Sequence, residues 1–226
     1  RMDADTTGKK HAHEDILKSF GNHEADILLG TQMIAKGLDF DNVTLVGIVN
    51  GDAMLNRSDY RSGELTYDLL EQASGRSGRG DKAGKVILQV YDTQHYAIQS
   101  ALHHDYLMFF KHEMRYRHLA GYPPYRYLVS LVFSHKTKEM VEWLFKHPLS
   151  DGGQFTAMQI LEKKENGKIL GPASLNKLRD EYRMRILLKG KDQALLNHYA
   201  WDVYQDHITK KARTRLDIDV SPVVLE

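Results

Sequence analysis

Two short runs of β-branched residues with a helical pattern between them constrain this chain more than any other feature. Residues 43–49 (VTLVGIV) and 84–91 (GKVILQVY) are apolar at most positions, the pattern of strands buried on both faces. Strands of that kind belong to parallel sheets, whose neighbours need a crossover long enough to hold a helix. Residues 64–73 lie between them and have helical spacing. Upstream, residues 9–20 place Ile16, Leu17 and Phe20 on one helical face, and Gly21 supplies a stop. Residues 26–30 (DILLG) give another buried-strand pattern, and 94–104 are helical again. This alternation predicts a parallel α/β sheet.

A different arrangement follows. Residues 105–118 (DYLMFFKHEMRYRH) continue as helix and run into 119–124 (LAGYPP), where two prolines remove backbone donors and force an extended path. The domain junction is therefore placed at 105–121, between a unit of residues 1–104 and a unit of residues 122–226. In the second unit, 126–134 alternate with Val129, Leu131 and Phe133 on one face. Residues 138–145 have helical spacing. Residues 150–166 are polar and give no assignment. A short strand at 168–170 ends on Gly171-Pro172, and 182–189 form a strong strand. Residues 192–207 form a helix with Leu195, Leu196, Tyr199 and Val203 inward. Residues 215–220 alternate Leu216, Ile218 and Val220 against Asp217 and Asp219. The order matches a small α+β sandwich of the split βαβ kind.

Composition removes several function classes. The chain has no cysteine, so disulfides and thiolate metal sites are excluded for these residues. It has no apolar run of about 18 residues, so no membrane-spanning helix and no membrane partner are expected. The pairs His11/His13 and His103/His104 lack accompanying acidic ligands, and no metal site is expected. Charge is uneven, net −4 over residues 1–100 and +5 over 101–226. A polyanionic partner and a solvated basic face both explain the second value.

Residues 72–80 (QASGRSGRG) stand at the end of the 64–73 helix pattern. Arg76 and Arg79 are three apart, so both guanidinium groups can share a face, and the flanking glycines let a phosphate approach the backbone. Arginine stays charged and offers a planar fork of donors to phosphate oxygens. Alone, the segment reads more readily as a basic surface loop. Its context is residues 30–40 (GTQMIAKGLDF), which follow one strand pattern and lead into the next.

Together the two segments resemble motifs V and VI of superfamily 2 helicases. Residues 1–6 (RMDADT) resemble motif IV. Residues 49–53 (VNGDA) with 59–64 (DYRSGE) are similar to a signature of the replication-restart helicases, the primosomal protein N′ (PriA) family. Residues 119–125 (LAGYPPY), 170–173 (LGPA) and 217–222 (DIDVSP) resemble the C-terminal domain of that family. The resemblance covers residues 1–222 and is weakest across 136–166. RecG-like translocases share motifs V and VI but not the last three segments. A RecG-like enzyme, or a nucleic-acid-binding module without catalysis, is the alternative reading.

The resemblance implies a fold and a set of roles. The fold is a RecA-like helicase lobe followed by the α+β domain, and the function is that of an ATP-dependent 3′-to-5′ DNA helicase. It would recognise stalled replication forks and start primosome assembly in the cytoplasm. Arg76 and Arg79 would be arginine fingers. Gln72 would contact the nucleotide's phosphate side, and Gly37 and Asp39 would border the nucleotide. Thr31, Gln32 and Lys36 would lie nearer the DNA, with Asp52 and Arg61 as further DNA contacts. ATP, Mg²⁺ and, upstream, zinc would be the cofactors. DNA, single-stranded DNA-binding protein and other primosome proteins would be the partners. Ser74 and Ser77 depart from the small apolar residues of the family motif, and Arg57 and Ser58 from an isoleucine and a proline.

No GxxxxGK[ST] phosphate cradle and no Asp-Glu-x-His segment occur in the sequence. In the family these lie on a first lobe, so the chain, which starts at Arg1, is expected to be a C-terminal fragment. Without that lobe it is expected to be inactive. Lys177, Arg179, Arg183, Arg185, Lys189 and Lys191 form a basic cluster. Arg183, Arg185 and Lys189 share a strand face. They would track a single strand of DNA beside Tyr182, or form an ordinary exposed sheet face or one that covers the partner lobe.

Overall fold

The computed structural model describes residues 1–2, 12–31, 43–57, 59–75, 84–146, 167–209 and 212–225. They fall into two compact units, Arg1–Arg57 with Arg61–Glu113, and Ser58–Tyr60 with Met114–Glu226.

In the first unit, helix α1 (Ala12–Gly21) is followed by strand β1 (Leu45–Ile48), a 3-10 turn (Ala53–Asn56), helix α2 (Ser62–Ser74), strand β2 (Lys85–Leu88) and helix α3 (Tyr96–Leu102). Helix α4 (Tyr106–Ala120) begins here and ends in the second unit. β1 and β2 pair in parallel, from Leu45 opposite Lys85 to Ile48 opposite Leu88. Helix α2 is their crossover. It buries Gly63, Thr66, Tyr67, Leu70 and Ala73, a stripe at three- and four-residue spacing that its sequence encodes. That stripe meets Ala97, Ile98, Ala101 and Phe109, with Ile48 and Leu88 packed alongside. The rings of Tyr67 and Phe109 stack at 4.3 Å between centroids.

Two expectations change in this unit. Residues 26–30 do not form a strand. Gly30 makes one parallel bridge to Met2, while Ile27 and Leu29 are exposed. An apolar run becomes a strand only where a neighbour completes its hydrogen bonds, and the bridge supplies one point of pairing. The β1–β2 pair is also not buried on both faces. Leu45 and Ile87 are 57% and 50% exposed, and among the described residues the core lies on the Ile48 and Leu88 side.

The second unit holds β3 (Tyr127–His135), α5 (Lys138–Lys146), β4 (Lys168–Leu178), β5 (Glu181–Gly190), α6 (Gln193–Thr209) and β6 (Arg215–Val220). The strands form one sheet in the order β4–β5–β3–β6, every pair antiparallel. Val129, Leu131 and Phe133 of β3 and Ile186 and Leu188 of β5 pack against Val141 of α5 and Leu196, Tyr199, Ala200 and Val203 of α6. Leu128 and Leu187 point to the opposite face, where Leu225, Tyr60 and Tyr122 cover them. β3 is thus buried on both sides. The short strand expected at 168–170 instead runs on to Leu178, through Gly171-Pro172. The Gly-Pro pair causes a register shift between Leu170 and Ala173. An edge strand tolerates this, because a proline there costs no ladder donor. Residues 150–166, left without assignment by the sequence, lie outside the described residues.

Candidate functional site

Gln72 occupies the last turn of α2, with its side chain exposed. Its neighbours fix the helix beneath it. Ala73 is buried on the inner side, and the Ser74 hydroxyl donates back to the Leu70 carbonyl. A serine at that position therefore consumes its own polarity locally. Glu71, one residue before Gln72, pairs with His104 at 3.0 Å. Helix α2 ends at Gly75 and leads directly into the glycine–arginine segment. Arg76 and Arg79 lie outside the described residues, as do Gln32, Lys36, Gly37 and Asp39. Thr31 is described and exposed, next to the Met2–Gly30 bridge.

The start of α2 is held by a different device. Gly63 stands where a Cβ would lie 2.7 Å from Glu113 Oε2 and against the Tyr96 hydroxyl. The Tyr96 O–H donates to that same carboxylate at 2.5 Å, and Glu113 is buried. A glycine at the first turn lets α2 sit directly on this pair. His95 caps α3, its Nδ1 accepting from the Ala97 N–H at 3.2 Å, and burial lowers its pKa. Lowering favours the neutral ring, which is the form that can accept this bond.

Asp52 is held by backbone donors. It is 5% exposed, and the backbone N–H groups of Tyr91 and Asp92 donate to its Oδ2 at 2.8 and 3.0 Å. These bonds, Asp92's foremost, hold its carboxyl below the usual range. The residue joins the loop after β1 to the loop after β2. Gly51 beside it has Leu88 packed where its Cβ would be. Arg61 is the N-cap residue of α2 and is half-buried. Asp52 and Arg61 thus stand at either end of one loop.

The basic cluster of the second unit is largely engaged. Arg183 Nε donates to the Asn176 carbonyl at 3.0 Å, and Arg185 Nη1 donates to the Leu225 carbonyl. Lys177 Nζ lies 3.8 Å from the Tyr182 ring centroid. Lys189, expected on the same open face, is 4% exposed. Its Nζ sits 3.3 Å from the Tyr122 centroid and donates to the Ala120 carbonyl at 3.2 Å. Burial lowers its pKa to about 8. Tyr122 stacks on Tyr60 at 5.1 Å, and Arg117 lies over the Tyr60 ring at 5.3 Å. Each of the two stacked rings therefore carries a cation, a contact favoured by the negative ring faces. The sequence did not single out Tyr60 or Arg117. The Gly-Tyr-Pro-Pro segment that positions Tyr122 was the one available signal.

Residues 2–81 match the family described as "Helicase conserved C-terminal domain", so a parallel strand pair with α2 as its crossover is a helicase C-terminal lobe. Residues 118–223 match the family described as "Primosomal protein N C-terminal domain". Across 242 aligned residues the chain is 41% identical to replication restart protein PriA of Bacillus subtilis, covering 100% of this chain and 28% of that protein. It is 40% identical to the Synechocystis protein of the same name, covering 84% of this chain and 22% of that one. For the Chlamydia pneumoniae protein the identity is 33%, over 97% and 29%. The chain belongs to the PriA family of replication restart helicases, and it spans less than a third of the length of these relatives.

Proposed function

We propose that this chain supplies the second half of the ATPase site, and part of the DNA-facing surface, of an ATP-dependent 3′-to-5′ DNA helicase. That helicase would recognise stalled forks and begin primosome assembly. The observation that carries the proposal is Gln72, exposed on the last turn of a helix that is otherwise locked to its core and that ends on Gly75. A side-chain amide there is available to a phosphate oxygen, so the residues present fit a nucleotide. Bound ATP with Mg²⁺ would supply the transferable γ-phosphoryl group. Arg76 and Arg79 follow Gln72 within two turns' length of chain and would neutralise the charge that develops on that group. Gly37 and Asp39 would border the nucleotide. Thr31, Gln32 and Lys36 would face the DNA backbone. The phosphate cradle and the zinc-binding cysteines would belong to residues outside this chain.

The geometry refines the DNA contacts. Asp52 acts as the brace between two loops, which positions its neighbours and leaves direct contact to Arg61 and Thr31. Arg183 and Arg185 each keep a guanidinium edge on an exposed or half-exposed residue while donating to a carbonyl, so both remain able to face a phosphate. DNA, single-stranded DNA-binding protein and other primosome proteins are the proposed partners, and the cytoplasm the proposed location. The strand order β4–β5–β3–β6 with two helices supports the split βαβ description of the second unit.

Steady-state kinetics test the central assignment. In a full-length relative carrying this segment, Arg79→Lys should lower kcat for ATP by roughly 10³ with little change in KM, the signature of an interaction made in the transition state. The 226-residue chain alone should hydrolyse no ATP and unwind no duplex. An unchanged kcat in the first experiment, or Arg79-dependent hydrolysis in the second, would overturn the assignment.

A further inference from the structure

Helix α3 ends in a way that sets one histidine apart. Asp105 N–H donates to the Ser100 carbonyl at 2.9 Å, and His104 N–H to the Ala101 carbonyl at 3.2 Å. This pair of bonds is the Schellman closure of a helix, which needs a left-handed residue at the position of His104. Glycine is the usual occupant, since it has no Cβ to clash. Here His104 adopts φ +51 with a full side chain. A residue other than glycine in that region carries strain that its surroundings must offset.

The imidazole supplies the offset. Its Nδ1 N–H donates to both carboxylate oxygens of Glu71, at 3.0 and 3.2 Å. One turn earlier on α2, Tyr67 also faces this carboxylate. Burial foremost, and then the charge of Glu71, raises the Tyr67 pKa. The same turn begins α4, where Asp105 Oδ1 accepts from the Met108 N–H at 2.8 Å. Helices α2, α3 and α4 are therefore tied together by Glu71, His104 and Asp105.

Glu71 is also where α2 closes. Its carbonyl accepts the Gly75 N–H at 3.1 Å, and the helix stops there. Helix ends fray because their last carbonyls lack partners within the helix. A side-chain bridge from Glu71 holds the turn that would fray first, and Gln72 is the next residue.

We propose that His104 is a positioning residue for the nucleotide site: its bond to Glu71 fixes the last turn of α2 and with it the place of the Gln72 amide. The inference rests on the reading of Gln72 as a phosphate contact. A group aimed at a phosphate needs such an anchor, because a shift of about 1 Å can cost about a hundredfold in rate. His104 touches no substrate and acts through the helix end alone.

Kinetics test this in a full-length relative that carries these 226 residues in place of its own. His104→Gly removes the bridge and also relieves the left-handed backbone. Amide protection across α3 should therefore hold or rise, while kcat for ATP falls about three- to fivefold, the factor a partly exposed ion pair supplies. A role in stability alone predicts that the two fall together. Glu71→Ala should give the same fall in kcat, and the double variant should be no slower than either single one. Neither substitution should slow the Gln72→Ala variant further, because both act through that amide. Arg79→Lys in the same protein tests the underlying reading. If it leaves kcat unchanged, the reading and the inference fall together. If Arg79→Lys lowers kcat and His104→Gly does not, the reading stands and the inference is overturned. Losses that multiply in the double variant, or α3 protection lost in step with kcat, also overturn it.

Discussion

At Gly63 a hydrogen atom occupies a place where a methyl group would meet two oxygens. Gly63→Ala should gain some helix propensity and yet lose about 1–3 kcal/mol, because the Tyr96–Glu113 pair must shift. Chemical denaturation would read the loss, and a neutral or stabilised variant would show that the pair moves freely. Lys189 gives a pH test. Its folded pKa is about 8 against the ordinary 10.5. Between those values the unfolded chain holds a proton that the folded chain has released, so stability rises with pH over that window and levels off above it. Below about 8 both states are protonated and the cost of burying the charge is constant. Lys189→Met should flatten the rise in a pH series of melts. His95 works in the acid range: its lowered pKa means that stability falls as pH drops below the ordinary value of 6.5. His95→Asn, which keeps a capping acceptor, should remove that fall. None of these roles was legible beforehand. Lys189 follows Arg183 and Arg185 at strand spacing, and alternation assigns a face without telling whether that face is covered. Asp52 was read from the resemblance of its loop, and a resemblance does not tell how deeply a side chain is buried.

Among the elements, strands and helices with strong periodicity were readable, and α2, α4, β3, β5 and α6 lie where their patterns put them. The failures share a cause. Among the described residues, 26–30 have a strand composition but one point of pairing, and β4 crosses a Gly-Pro pair that normally ends a strand. Hydrogen-bonding neighbours decide both cases, and those neighbours are distant in sequence. Gly171 permits the second. Its φ is +114, and a Cβ there would lie 2.6 Å from the Arg185 carbonyl oxygen. Gly171→Ala should therefore cost about 1–3 kcal/mol, with faster amide exchange along β4 than along β3. Uniform exchange across the sheet would show that the strain spreads beyond the bulge.

For the molecule as a whole, the mixed helix-and-sheet class was legible, since it rests on local period and on motifs of neighbouring residues. The packing beneath it was not. Leu188 is fully buried within the core of α5, α6, β3 and β5, and Leu188→Ala should cost about 2–5 kcal/mol. Exchange measured by mass spectrometry should locate the loss in Met114–Glu226. Equal loosening of Tyr67 and Ile98 would show that the two units unfold as one.

The excursion at Ser58–Tyr60 has a consequence for inheritance. The C-terminal unit takes one of its stacked rings, Tyr60, from a loop that precedes its own first residue by more than fifty positions. A gene segment encoding residues 114–226 alone would travel without that ring, and both Tyr122 and Arg117 would lose its contact. Recombination that swaps the C-terminal unit between relatives must therefore carry two separated stretches of coding sequence, or find a flat side chain at position 60 already in place.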